Sequence, residues 1–396
     1  MDEKKTHSFT SRRDRTRGPA LFTVILVGLF LWFPILGQWL GEESRVSEME
    51  QRLLAPPPSP SGDWHSWLDL PKDTDKWFDD HLGFRQQLIH SHARFMIRLF
   101  GKSPSEKLIL GQSGWLYFGD KNAIDHYRGV APLTDFELSR WQRVLEKRRD
   151  ALAERGILYL LVLVPDKSLI YPEYMPENLP RATPVHPLDQ LARHMGENSD
   201  VEVLDLRQAL EEAKPDRRLF HRTDSHWNDE GAFVAYSAML DRLRPMLPVL
   251  DDQPRPEMKR KNSEVPGLGL ARIVGMAYEF PEEVTTVKAV SPRSRIAQKY
   301  RSRYEERLER LQPVAHGVEG SGYPRAVMFR DSFANALIPY LSEHFERILY
   351  VWDRDVDVAL VDIEKPDVVI QEIVGRFLSR RPRPPAEIAR SEKKRR

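Results

Sequence analysis

The chain has 396 residues, with 60 Lys and Arg against 59 Asp and Glu, and a formal net charge of +1. Its 41% hydrophobic content supports a sizeable core and excludes wholesale disorder, while the balanced charge argues against a nucleic-acid binder. There is no cysteine, which excludes a thiol nucleophile, thiolate zinc sites and disulfides.

Residues 18–41 form a run of 24 uncharged positions that includes LFTVILVGLFLWFPILGQWL. About 20 helical residues span a bilayer core, so the run predicts a transmembrane anchor. Lys4, Lys5, Arg12, Arg13, Arg15 and Arg17 precede it, and Glu42 and Glu43 follow. The positive-inside rule then places residues 1–17 in the cytoplasm and the rest outside. A cleaved signal peptide would have a shorter apolar region and a small-residue cleavage site, which GQWLGEES lacks. Residues 42–62 contain APPPSPSG, a stiff extended spacer. Globular sequence is expected over 63–378, and 379–396 reads as a solvated basic tail with eight basic and two acidic residues from Arg380.

Within the globular part, Thr134 and Glu137 form a capping box. The helix behind it has an apolar face of Leu138, Trp141, Leu145 and Leu152, and Gly156 ends it. Ile157–Val164 is a near-continuous apolar run, typical of a parallel strand buried on both faces. Val201–Leu206, Ala326–Phe329, Arg347–Trp352 and Pro366–Ile373 are further strands, with helices over Glu230–Leu243 and Phe333–Phe345. Strands separated by helices predict an α/β fold, a parallel sheet flanked by helices. Ligands of such sheets sit at the carboxyl ends of the strands.

Two motifs fall at such ends. In FRDSF, Phe329–Phe333, a strand stops and a helix begins, so Ser332 is either a helix cap or a nucleophile facing backbone N–H groups. In TDSHW, Thr223–Trp227, Asp224 and His226 lie two apart, the spacing at which a carboxylate and an imidazole reach one side of a turning backbone. No GxSxG, P-loop or dinucleotide fingerprint is present, and the histidines lack a metal spacing, so no cofactor or metal is called for. Lys167 and Tyr171 follow the first long strand and are candidate substrate contacts, with core packing as the alternative; Trp227 is a candidate for sugar stacking or for packing. Ser291–Leu311 holds seven basic and three acidic residues, a solvated helix or, through Arg301 and Arg303, a guide for an anionic polymer.

TDSHWNDEG, then RDSF, PYLSEHFERILYVW and PDVVIQE, with GWLYFGD and PDKSLIYPEYMP upstream, resembles the alginate O-acetyltransferase AlgX/AlgJ family over roughly Asp75 to Phe377. The resemblance implies an SGNH-hydrolase-like catalytic domain in which the Asp-x-His element precedes the serine element. It implies Ser332 as nucleophile, His226 as base and Asp224 as orienting acid. It also implies a periplasmic exopolysaccharide acceptor and a multipass membrane-bound O-acyltransferase as acetyl donor. Arg330 stands where typical SGNH enzymes carry glycine before Asp-Ser, which bears on the oxyanion site and makes Arg330 a candidate substrate contact. With little sequence beyond the fifth strand for a carbohydrate-binding module, the chain is expected to be closer to the anchored AlgJ type. An acetyl esterase of polysaccharide and a non-catalytic partner of a synthase or export complex are the alternative functions.

Overall fold

The computed structural model describes residues 21–29, 32, 37, 46–47, 52–59, 64–297 and 313–385. They divide into two compact units, residues 1–100 with 272–276, and residues 101–271 with 277–396. The first contains helices α1 (Trp64–His81) and α2 (Arg85–Phe100) and a short antiparallel pair, Val46–Ser47 with Arg52–Leu53. Of the expected anchor, residues 21–29, 32 and 37 are described and helical; the remainder of 18–41 lies outside the described residues. Among the described residues no helix is long and apolar enough to cross a membrane.

The second unit holds the sheet. It opens with the hairpin β1 (Leu108–Leu110) and β2 (Leu116–Phe118), then α3 (Lys121–Arg128) and α4 (Asp135–Ala153). At the start of α4 the Thr134 hydroxyl accepts from the Glu137 amide, and Glu137 reaches back to the Thr134 amide, the reciprocal cap expected from the sequence. There follow β3 (Leu158–Val164), α5 (Pro187–Asn198), β4 (Glu202–Asp205), α6 (Arg207–Ala213) and α7 (Asp229–Met246). A second hairpin, β5 (Met258–Val265) with β6 (Glu282–Ala289), precedes β7 (Arg295–Ile296), β8 (Val314–Gly317), β9 (Arg325–Phe329), β10 (Arg347–Val351), α8 (Val358–Glu364) and β11 (Val368–Val374).

The seven-stranded sheet has the order β4-β3-β11-β9-β10-β8-β7. Strands β4, β3, β11, β9 and β10 run parallel. The plainly parallel sheet expected from the sequence is corrected at one edge, where β8 and β7 pair antiparallel. These two are only four and two residues long, too short to carry the apolar-run signal that marks doubly covered strands.

Alternation along each central strand sorts side chains between two cores. Leu160, Val162, Met328 and Ile370 pack with α6 and α7, while Leu161, Leu163, Val327 and Leu349 pack with α4, α5 and α8. Each fully buried Leu, Val or Phe adds about 1.5–3 kcal/mol of hydrophobic stabilisation, so this sheet is the rigid platform for its carboxyl edge.

The predicted helix over Phe333–Phe345 is replaced by 3-10 turns at Ser332–Leu337 and Ser342–His344 around a single α turn, Ile338–Leu341. Pro339 has no N–H to donate into a continuous α ladder there. The basic tail is also not wholly solvated: the Arg383 guanidinium pairs with Asp355 at 2.6 Å, and the Arg383 carbonyl accepts from buried Arg148. Residues 386–396 lie outside the described residues.

Candidate active site

Ser332 follows the carboxyl end of β9. The Arg330 amide still donates to Val351, extending the ladder, and Asp331 then caps the turn by accepting from the Phe333 amide at 3.0 Å. The second Asp331 oxygen accepts from the Val374 amide at 3.1 Å, and the Asp331 amide donates to buried Glu372 at 2.9 Å. Burial, then the neighbouring Asp331 carboxylate, push the Glu372 carboxyl well above its ordinary range. Because Asp331 is the cap, the Ser332 hydroxyl is released from that role. The Ser332 N–H donates to no protein acceptor among the described residues.

Asp224 and His226 lie at the tip of a loop closed by an antiparallel bridge between Phe220 and Trp227. The base of the loop is tied by Asn228, whose amide donates to Leu219 at 2.9 Å and whose side chain caps α7 at the Gly231 amide. A Cβ at Gly231 would meet the Leu219 carbonyl at 2.2 Å, so only glycine permits this close approach.

The tip aims at Ser332. His226 Nε2 lies 2.7 Å from Ser332 Oγ, and His226 Nδ1 lies 2.6 Å from Asp224 Oδ1. With Nδ1–H donated to Asp224, Nε2 is free to accept the Ser332 proton. Asp224 also accepts from its partner's backbone, the His226 amide, at 3.0 Å and from the Gly269 amide at 2.9 Å. Burial alone would raise the Asp224 carboxyl; the hydrogen bonds and charge of His226 outweigh it and hold the group far below the usual carboxylate range. The His226 side chain is 34% exposed, which opens the relay to solvent and substrate.

The other sequence candidates turn inward. Lys167 is buried, its ammonium donating to the carbonyls of Leu116, His221, Arg222 and Asp224 and standing 4.8 Å from the Tyr117 ring. These bonds brace the loop. Tyr171 is buried, its hydroxyl accepting from the Leu219 amide at 2.9 Å, and Trp227 is buried with its indole donating to the Phe333 carbonyl at 3.0 Å. Arg330 is also buried, bonded to Asn335 at 2.7 Å and stacked 4.3 Å over Trp352. Arg301 and Arg303 lie outside the described residues. Upstream of them, Arg293 and Ser294 are not helical but donate to the buried Glu343 carboxylate.

Glu282 is a residue that sequence reasoning missed. Fully buried on β6, it accepts from the Arg222 amide at 3.1 Å, the Thr223 amide at 2.8 Å and the Thr223 hydroxyl at 2.6 Å, and it pairs with Arg218. Gly269 was missed as well: a Cβ there would meet Asp224 Oδ2 at 2.4 Å. Neither position carries a local motif, because each acts on a loop about 45 to 60 residues away.

A serine, a histidine and an aspartate in relay at the carboxyl edge of an open α/β sheet form an arrangement with the chemistry to support serine-dependent acyl transfer. The family model described as "SGNH hydrolase-like domain, acetyltransferase AlgX" matches residues 108–308, half of the chain, and the chain belongs to that family. The matched residues include Asp224 and His226; Ser332 lies beyond them.

The chain is 26% identical over 216 residues to the probable alginate O-acetylase AlgJ of Pseudomonas syringae pv. tomato, covering 54% of this chain and half of that relative. It is 25% identical over 172 residues to the probable alginate O-acetylase AlgJ of Azotobacter vinelandii, covering 43% of this chain and 42% of that one. The chain thus spans about half the length, or less, of these curated relatives. Bacillus cereus PatB1 shares the fold, with a TM-score of 0.52 at 14% identity over 69% of this chain and 97% of PatB1.

Proposed function

We propose that this chain is an O-acetyltransferase that moves acetyl groups onto hydroxyls of an extracytoplasmic polysaccharide through an acetyl-Ser332 intermediate. The observation that carries the proposal is the hydrogen-bonded relay from Ser332 Oγ through His226 to Asp224, at 2.7 and 2.6 Å. His226 takes the hydroxyl proton as Ser332 attacks the donor's acetyl carbonyl, then passes it to the departing donor oxygen. The acetyl-serine ester remains. A sugar hydroxyl then attacks that ester, giving its proton to His226, and the proton returns to Ser332 as the sugar acetate leaves. Asp224 holds the imidazole tautomer and stabilises its cation. The unpaired Ser332 N–H is placed to donate to the oxyanion in both steps.

The uncharged run over 18–41 and the basic residues before it support attachment to the inner membrane, with the catalytic unit on the periplasmic side. The alginate O-acetylase names of the relatives support a polysaccharide acceptor, and the sequence resemblance implies a multipass membrane-bound O-acyltransferase as the source of acetyl. The exposure of His226 favours a second activity: water can reach the acetyl-serine when no sugar is bound, so the same relay would act as an esterase. The test is transfer from an activated acetyl ester to an oligosaccharide. Ser332→Ala and His226→Ala should each abolish it with the fold intact, and the double variant should be scarcely worse than either. Wild-type transfer by Ser332→Ala would overturn the nucleophile assignment, and absence of transfer by the unsubstituted chain would leave a non-catalytic role in a polysaccharide assembly.

A further inference from the structure

Helix α2 keeps large apolar side chains in the open. Leu88, Phe95 and Leu99 are 41, 54 and 64% exposed. Their spacing returns Phe95 and Leu99 to within about 20° of Leu88 around an α-helix, so the three form one strip. Phe100, also exposed, widens the strip through an edge contact with Phe95, the ring centroids 5.4 Å apart. Buried Ala93 lies on the far side of the helix, about 140° from Leu88. Charge separates the two helices of this unit. α2 carries Arg85, Arg94 and Arg98 and no acidic residue, whereas α1 carries five aspartates against two lysines. α1 also exposes Trp67, Leu68 and Phe78, so apolar exposure alone does not distinguish the two. An anionic surface attracts α2 and repels α1.

The start of α2 is tied to the uncharged run over 18–41. Gly37 is buried, and a Cβ on it would run into the Phe84 ring and would meet Gly83 Cα at 3.0 Å. Glycine lets the run approach the turn between α1 and α2 this closely. The chain comes back to the same turn further on, where the Ala55 amide donates to Asp80 at 2.8 Å. If the run is the anchor, Gly37 stands four residues from its outer end at Gly41, about 6 Å along a helix. That is the level at which acyl chains meet headgroups, and the Phe84 ring brings the first turn of α2 to it.

We propose that α2 is an interfacial helix that lies along the outer face of an anionic bilayer, with Leu88, Phe95 and Leu99 in the acyl boundary and its arginines among the headgroups. Arg85 and Arg98 stand at about 60° and 80° to either side of the strip, positions from which long side chains reach lipid phosphates while the apolar residues go deeper. The proposal rests on the membrane reading above, and it adds a second lipid contact with its own residues and its own lipid charge.

The chain has no cysteine, so Leu88→Cys, Phe95→Cys, Leu99→Cys, Gln86→Cys and Phe78→Cys each take a fluorescent label at one place. The labelled full-length proteins are placed in phosphatidylcholine vesicles with or without phosphatidylglycerol. Nitroxide lipids then quench from the membrane, and iodide quenches from water. With phosphatidylglycerol, the labels at 88, 95 and 99 should be quenched by lipid severalfold more than those at Gln86, on the far face of α2, and at Phe78, on α1. They should also be shielded from iodide. Arg98→Gln should lower the ratio of seated to unseated helix about fivefold, the share of one basic side chain near an anionic surface, and added salt should act in the same direction. Far-UV circular dichroism should match the unlabelled chain throughout. Iodide quenching at Leu88→Cys equal to that at Gln86→Cys would overturn the seat. So would shielding of the strip from both quenchers, which would show that protein covers it: another part of the chain, a second copy or a membrane protein. Equal lipid quenching with and without phosphatidylglycerol would overturn the assignment to an anionic surface. Release of the chain by alkali would count against the anchor, while lipid quenching at the three positions before that release would leave the seat of α2 standing.

Discussion

The position of His226 depends on a carboxylate that makes no contact with it. Glu282 and Thr223 are both fully buried, and Glu282 accepts three hydrogen bonds from Arg222 and Thr223 while pairing with Arg218. Glu282→Ala leaves one buried and one partly buried amide unmet and a guanidinium without its partner, an expected loss of about 3–5 kcal/mol in unfolding free energy. Thr223→Val removes the hydroxyl that donates to Glu282 at 2.6 Å and accepts from the Leu268 amide at 2.9 Å, an expected loss of about 1–3 kcal/mol. The two changes share one interaction, so the double variant should fall short of their sum by about 0.5–2 kcal/mol, part of the Thr223→Val loss, measured by urea denaturation of all four proteins. Turnover of a small acetyl ester should drop about 100-fold in Glu282→Ala, since a shift of about 1 Å in a catalytic group has that effect. Glu282→Gln, which keeps the shape and one accepting oxygen, should lie between. Additive stabilities, or wild-type turnover in Glu282→Ala, would refute the claim that this carboxylate sets the loop.

Gly269→Ala puts a methyl 2.4 Å from Asp224 Oδ2 and should lower turnover about 10- to 100-fold while the melting temperature falls only a few degrees; unchanged kinetics would show that Asp224 has room to move. Asp224→Asn favours the wrong imidazole tautomer and should reduce kcat by about 10⁴, read with the same ester. Burial lowers Lys167 from its ordinary 10.5 to about 7, so between those values the unfolded chain binds more protons than the native one. Its contribution is complete above the upper value and is lost as pH falls through the lower, so stability should rise by up to about 5 kcal/mol across that window. Lys167→Met should remove this part of the slope in denaturation curves taken over a pH series; an unchanged slope would place the titration elsewhere.

What the sequence disclosed follows from how each element is buried. Ile157–Val164 and Pro366–Ile373 were legible because strands covered on both faces are nearly all apolar, and the observed spans Leu158–Val164 and Val368–Val374 differ by two residues or fewer at each end. The edge strands Arg295–Ile296 and Val314–Gly317 carry no such run, and the turns after Ser332 keep a helix-like composition without forming a continuous α-helix. Asp224, His226 and Ser332 were readable from a motif at a strand end and from family resemblance, and the structure brings their side chains together. Lys167 was visible as a residue but not in its role, since no local pattern announces a bond to four carbonyls from two separate segments.

The most direct test is to find where acetyl resides during turnover. The full-length protein, mixed with an activated acetyl ester and quenched in acid, should carry one acetyl group on the peptide that contains Ser332, as read by mass spectrometry. The label should be absent from Ser332→Ala, fail to form at an appreciable rate in His226→Ala, and leave the wild-type protein when an acceptor oligosaccharide is added. Acetyl on a different residue during turnover, or unlabelled Ser332 in a protein that still transfers acetyl, would contradict the acetyl-serine account.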